Sequence, residues 1–152
     1  MISRPLTDQL VRDCCRELTE EVLPALADET LKLRLIMAVT VLENTAVRAA
    51  HEIAWMRSET GTAVAFAREV AAFRADERIE VALAEVEAGP HASLHLVDVV
   101  DVYERASRAF DVAVQVSHEA QAEHLIRRAA DLLRARVDVE RTVMAIYAVV
   151  GR

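Results

Sequence analysis

The residues whose types and spacing come closest to a chemical site lie between positions 91 and 98. His91, His95 and Asp98 follow one another at steps of four and three residues, so a helix through this segment would align them on one face. Two histidines and one carboxylate are a ligand set that zinc accepts. These three residues are therefore candidate ligands of a metal-dependent hydrolase.

Two features of the same segment oppose a metal site. It lacks the glutamate directly after His91 that serves as the base in His-Glu-x-x-His zinc proteases. If Ser93 is the N-cap of the following helix, His91 lies before that helix and outside the shared face. The alternative, which the sequence favours, is a pair of solvent-facing histidines near a first helical turn.

Other patterns that would indicate catalysis are missing from the sequence. The three glycines are isolated at positions 61, 89 and 151, so no glycine-rich loop is available to bind a phosphate. Cys14 and Cys15 are adjacent, a spacing that suits neither a disulfide bond between distant segments nor a metal site. Cys14 lies on the apolar stripe of the first helix with Leu10 and Leu18, and we expect it in the core. We predict no catalytic residue and no cofactor, and we favour a protein that is not an enzyme.

The longest periodic segment, roughly Leu31 to Met56, is apolar on two opposite faces. One face is a heptad seam formed by Leu35, Val39, Leu42, Ala46, Ala49, Ile53 and Met56. The opposite face, called the second-helix stripe below, is formed by Met37, Val41, Asn44, Arg48, His51 and Trp55. A face exposed to water would carry mainly Glu, Lys and Arg, so we expect this one to be covered.

Three interpretations of the second-helix stripe remain open. In the favoured one, other helices of the same chain cover it, and Asn44 and His51 form buried hydrogen bonds. In the second, it is a subunit interface, because Trp, Met and Arg are enriched in interface cores. In the third, Asn44, Arg48 and His51 line a small-molecule pocket. Trp55 is expected to be largely buried in the first two.

The elements that position these residues are predicted to be helices throughout. Apolar residues recur at three- and four-residue steps along the chain, with punctuation at Pro24, at Gly61-Thr62 and at Gly89-Pro90. The candidate N-caps are Thr7, Asp28 or Thr30, Asp76, Ser93, Ser117 and Asp138. Residues 94–102 are rich in β-branched side chains, but the helical spacing continues from Leu96 to Val114. The predicted fold is all-α, a single-domain antiparallel bundle of six or seven helices over residues 1–152 with one long central helix.

Composition and charge exclude several function classes. The 152 residues carry 25 acidic and 18 basic side chains, a net charge of −7, which opposes nucleic-acid binding. Apolar stretches are far shorter than the roughly 20 residues of a membrane-spanning helix. The first residues include no signal-peptide core, so we expect a cytoplasmic location and no membrane contact. The 53% hydrophobic content and the two apolar faces of the second helix predict a homodimer.

The first third of the chain resembles a known family. Arg4-Pro5, then Leu10-Val11, then Glu21-Val-Leu-Pro-Ala-Leu26, are similar to the opening of a family of short bacterial helical proteins of unknown function. The segment from Leu33 to Asn44 resembles the second helix of that family, so the likeness covers about residues 4–50. The usual His-x-Arg before the alanine pair is not evident here. Members are commonly encoded beside kinases of the aminoglycoside-phosphotransferase type and beside acyl-CoA dehydrogenases. The resemblance implies an accessory role beside an enzyme and transfers no site residue.

Three functions follow from these observations. The leading hypothesis is a non-catalytic helical accessory or protein-interaction protein, which self-associates or binds a partner enzyme. The alternative is a helical bundle that binds a small molecule with the second-helix stripe, around Trp55 and Arg48. The third is a metal-dependent hydrolase that uses His91, His95 and Asp98.

Overall fold

The computed structural model describes the backbone of residues 4–144 and the side chains of residues 4–141. Over this range the chain forms five helices and no strand. Helix α1 combines an α-helix at Thr7–Glu17, a π-helical segment at Leu18–Val22 and a last turn at Leu23–Ala25. The others are α2 at Glu29–Phe73, α3 at Glu77–Glu87, α4 at Leu96–Glu119 and α5 at Glu123–Met144. The all-α prediction and the one long helix are confirmed.

The predicted count of six or seven helices is wrong, because two expected breaks do not interrupt the backbone. Gly61 lies inside α2, which continues through it for 45 residues. A single glycine costs a helix interior only about 1 kcal/mol relative to alanine. Asp138 lies inside α5 on an exposed surface. Ser117 is not a cap either: it is buried within α4 and its Oγ donates to the Ala113 carbonyl at 2.8 Å.

Two aspartates start helices as the sequence predicts. Asp28 Oδ1 accepts hydrogen bonds from the amides of Thr30 and Leu31, at 2.7 and 3.2 Å. These bonds satisfy amides that have no partner within the first turn of α2. Asp76 accepts from the amide of Arg78 at 3.0 Å in the same manner at the start of α3. Asp28, rather than Thr30, is thus the cap of the long helix.

Contacts divide the chain into two compact units. The first comprises Met1–Glu52 with Val139–Arg152, and the second comprises Ile53–Asp138. Helix α2 begins in the first unit and ends in the second. The single domain expected over residues 1–152 stays a prediction, and the two units are described separately.

The second unit has a continuous apolar core to which α2, α3, α4 and α5 all contribute. The buried side chains include Phe66, Ala67, Val70, Ile79, Ala82, Val86, Val102, Ala106, Ala109, Ala113, Val116, Leu125 and Ala129. The rings of Phe66 and Phe110 pack with their centroids 5.1 Å apart, within the range of favourable aromatic pairs. Gly89, just after α3, is required by close packing, because a Cβ there would lie 2.9 Å from Val102 Cγ2.

Fewer side chains are buried in the described part of the first unit. Among its described residues the buried side chains are Cys15, Val39, Thr40, Asn44 and Ala46. The expectation for Cys14 is wrong: Cys14 is exposed and its neighbour is buried, with the Cys15 Sγ 3.9 Å from the Val39 carbonyl oxygen. The inward face of α1 is therefore rotated by one residue from the stripe that contains Cys14.

Candidate functional site

The N-terminal part of the second-helix stripe is exposed. Met37 is 51% exposed and Val41 is 48% exposed, and Leu33, one turn earlier, is 57% exposed. Residues at i, i+4 and i+8 of a helix lie above one another on one face. Leu33, Met37 and Val41 therefore form a continuous apolar strip, called the α2 patch below, on the surface of the first unit.

Asn44 continues the stripe but is buried. Its Nδ2 donates to the Thr40 carbonyl at 3.0 Å, which anchors the side chain to the turn before it. Its Oδ1 accepts no hydrogen bond from the residues that the structure describes. A buried acceptor left in this state costs about 1–3 kcal/mol. Within the described residues, the hydrogen bonding expected of a buried Asn44 is therefore satisfied at Nδ2 and not at Oδ1.

The remaining stripe residues do not share one environment. Arg48 is exposed and forms an ion pair with Glu52, one turn later. His51 is exposed, whereas Trp55 is half-buried and belongs to the second unit. The stripe therefore passes from an apolar exposed surface at Met37 to a charged one at Arg48.

The three metal candidates are placed in and beside the turn that joins α3 to α4. His91 lies before α4, and its Nε2 is 2.7 Å from the Val86 carbonyl oxygen. Ser93 Oγ donates to Asp98 Oδ2 at 2.6 Å and accepts from the amide of His95 at 3.1 Å. His95 itself is the N-cap residue of α4. These hydrogen bonds stabilise the conformation of the turn between α3 and α4.

The structure does not bring His91, His95 and Asp98 together as a metal site. Within residues 4–141, no three His, Cys, Asp or Glu side chains are placed to hold one metal ion. The cause is the start of α4 at Leu96, which leaves His91 outside the helix. The shared face that the spacing predicts then does not form.

A second candidate site, missed in the sequence, is a groove of about 390 Å³ in the second unit. Its lining includes Arg57, Gly61, Val64 and Arg68 on one face of α2, with Val86 and Val102 among the residues from α3 and α4. The α2 residues are spaced by four, three and four positions, a signal that the sequence does contain. In the sequence, Gly61 indicates a break between helices, and the prediction therefore divides this face between two elements.

Electrostatic features of the first unit and of the second differ. Burial raises the pKa of the Cys15 thiol, and the nearby Glu43 carboxylate acts in the same direction. In the second unit, hydrogen bonds from the Arg78 guanidinium lower the pKa of both Asp76 and Glu119. Neither effect produces an activated nucleophile, because a raised thiol pKa leaves less thiolate.

Comparisons with known proteins supply no identity. No family model, curated protein or solved structure matches the chain. The resemblance of residues 4–50 to a bacterial helical family therefore stays a prediction. In the part of the chain that the structure describes, none of the helices combines the length and the apolar character needed to cross a membrane.

Proposed function

We propose that this chain is a non-catalytic helical protein that self-associates through the α2 patch of its first unit. The observation that carries the proposal is the exposure of large apolar side chains in that unit. They are Leu6, Leu10, Val22, Leu31, Leu33, Ile36, Met37 and Val41. Large exposed apolar patches on a protein surface commonly mark interaction sites.

Removal of this surface from water supplies the driving force. Each square ångström of apolar surface that is covered contributes about 25 cal/mol. Among the described residues of the first unit, the buried apolar side chains are those of Cys15, Val39 and Ala46. A partner bound to Leu33, Met37 and Val41 would remove these exposed apolar side chains from water.

Charge balance supports a second copy of the same chain as that partner. The whole chain carries a net charge of −7, so two copies repel each other over most of their surfaces. Between positions 33 and 52 of α2, however, the charged residues are Arg34, Glu43, Arg48 and Glu52, which sum to zero. A two-fold interface places one patch against itself, and this neutral, apolar stretch can accept its own copy.

The experiment compares two identical substitutions at exposed valines. Val41→Glu places a charge in the α2 patch, and Val97→Glu makes the same change in the second unit, where Val97 is also exposed. Mass would be measured by light scattering between about 1 and 100 µM. We expect the wild type and Val97→Glu at twice 16.9 kDa. We expect Val41→Glu to weaken the dimer by about 30-fold or more, because central interface residues commonly contribute over about 2 kcal/mol.

Circular dichroism of both variants controls for helix content. A wild-type mass of 16.9 kDa over the whole concentration range would refute self-association. Equal dimer dissociation constants for the two variants would place the contact away from the α2 patch. Binding to a partner enzyme, which the resemblance implies, predicts a monomer whose α2 patch is covered only when that enzyme is present.

A further inference from the structure

The groove of the second unit combines a positive end with an apolar floor. Arg57 and Arg68 lie eleven residues apart, three turns of α2, so their Cα atoms are about 16 Å apart along the helix axis. Val64, Val86 and Val102 line the groove between and opposite them. Its volume of about 390 Å³ falls within the range of small-molecule sites.

The two arginines are not equivalent. Arg68 Nη2 forms an ion pair with Glu87 Oε1 at 3.1 Å, so a carboxylate of the protein already neutralises that end. Arg57 Nη2 donates to the main-chain carbonyl of His91 at 3.4 Å, a long bond to a neutral group. A guanidinium has five N–H donors, and those of Arg57 that this bond does not use can serve an incoming anion.

Gly61 lines the groove without narrowing it. It lies between Arg57 and Arg68 in the interior of a 45-residue helix, where alanine is intrinsically the more favourable residue. A Cβ at this position would meet nothing within 4 Å, so packing does not demand glycine, in contrast to Gly89. What the missing side chain does is keep the groove open directly beside Arg57.

We propose that the groove binds a small organic carboxylate whose carboxyl group pairs with Arg57 and whose apolar body lies over Gly61 and Val64. A carboxylate and a guanidinium form two parallel charge-assisted hydrogen bonds, which fixes the orientation of the ligand. The apolar body of the ligand is stabilised by contact with the valine side chains that line the groove. At the Arg68 end, Glu87 disfavours a second carboxylate. The site therefore selects a monocarboxylate over a dicarboxylate.

The test uses octanoate as the probe and octanamide as its uncharged analogue, titrated calorimetrically into the full chain. We expect octanoate to bind about tenfold or more tightly than octanamide, since hydrogen bonds to charged groups are the stronger ones. Arg57→Gln removes this preference and leaves octanamide binding unchanged. Arg127→Gln, an exposed arginine on α5, is the matched control and preserves the preference.

A second pair of variants tests the position of the apolar body. Gly61→Leu fills the open space and is expected to abolish binding of both probes, and Gly61→Ala to weaken it in a protein that remains folded. Val41→Glu in the α2 patch should leave octanoate binding unchanged, which excludes adsorption to that surface. The proposal is overturned if octanoate and octanamide bind equally. It is also overturned if Arg57→Gln retains the preference or if folded Gly61 variants bind as the wild type does.

Discussion

The second unit encloses an apolar core, whereas many large apolar side chains among the described residues of the first unit are exposed to solvent. Phe66, Ile79 and Leu125 in the second unit are fully buried, and each lies on a different helix. In the first unit, Leu33, Ile36 and Met37 lie on the same long helix as Phe66, yet all three are exposed. The difference therefore arises from the helices that surround α2 along its length.

This contrast distinguishes two roles of an apolar residue, one in the stability of the fold and one in association. In the second unit a buried side chain stabilises the folded chain, and its substitution is expected to change the free energy of unfolding. In the first unit an exposed side chain is already in contact with solvent, so its exposure changes little when the chain unfolds. Its substitution is expected to change association instead, which makes the two units experimentally distinguishable.

The largest expected effect is a difference between two identical substitutions. Ile79→Ala removes a fully buried side chain of the second unit, and Ile36→Ala removes an exposed one of the first. Ile79→Ala should lower the free energy of unfolding by about 2–5 kcal/mol, because it leaves a cavity in the core. Ile36→Ala should change it by less than about 0.5 kcal/mol. Urea unfolding followed by circular dichroism at low protein concentration measures both, and equal losses would contradict the comparison.

A smaller effect is expected in the reactivity of the two cysteines, which report on the first unit alone. With Cys14→Ser only the buried Cys15 can react with a thiol reagent, and with Cys15→Ser only the exposed Cys14 can. We expect Cys15 to react about tenfold or more slowly, because it is covered and because burial raises its thiol pKa. Reagent and pH are the same for both variants, so the rate ratio measures protection.

The same reaction in urea compares the stability of the two units. Few apolar side chains are buried among the described residues of the first unit, so this unit is expected to unfold at lower urea than the second. Cys15 should then lose its protection before the main loss of helix content. If protection disappears only together with the second unit, the two units unfold as one. A rise in protection with protein concentration would support a second copy on the α2 patch.

Local signals in the sequence were sufficient for most of the fold. The steps of three and four residues predict helices, and Asp28 and Asp76 mark two starts because capping depends on neighbouring amides. The break expected at Gly61 does not form. The free-energy cost of one glycine in a helix is exceeded by the stabilisation from burying Phe66, Ala67 and Val70 on the same helix. Whether a glycine breaks a helix depends on tertiary packing, which a local pattern does not contain.

The candidate sites were less predictable for a related reason. Periodicity indicates that Met37 and Val41 share a face, but it does not indicate whether another element covers that face. The groove depends on Val86 and Val102, which are distant in sequence from Arg57. For the α2 patch and for the groove, the missing information is a contact between segments remote in sequence. The separation of the metal candidates has a local cause instead, because helix α4 begins at Leu96 and leaves His91 outside it.

The smallest expected effect is a pH dependence confined to the second unit, where Arg78 joins the start of α3 to the end of α4. Its guanidinium nitrogens donate to both Asp76 oxygens, at 2.8 to 3.0 Å, and to both Glu119 oxygens, at 3.0 and 2.6 Å. These hydrogen bonds hold the pKa of Asp76 and the pKa of Glu119 below their ordinary values. The unfolded chain therefore takes up protons more readily than the folded one in mild acid.

The sign of the effect follows from that difference. Stability from the Arg78 bonds is present above the ordinary carboxyl pKa values, about 3.9 for Asp and 4.3 for Glu, and is lost as pH falls through the lowered folded values. Arg78→Met should flatten the decline in the urea midpoint of the second unit from about pH 5 to pH 3, whereas Arg127→Met should not. Arg78 is the residue to change because Asp76 also caps α3. Parallel profiles for the wild type and Arg78→Met would mean that solvent screens these exposed bonds. The second unit would then owe its stability to its apolar core, and the contrast between the units would be one of apolar burial alone.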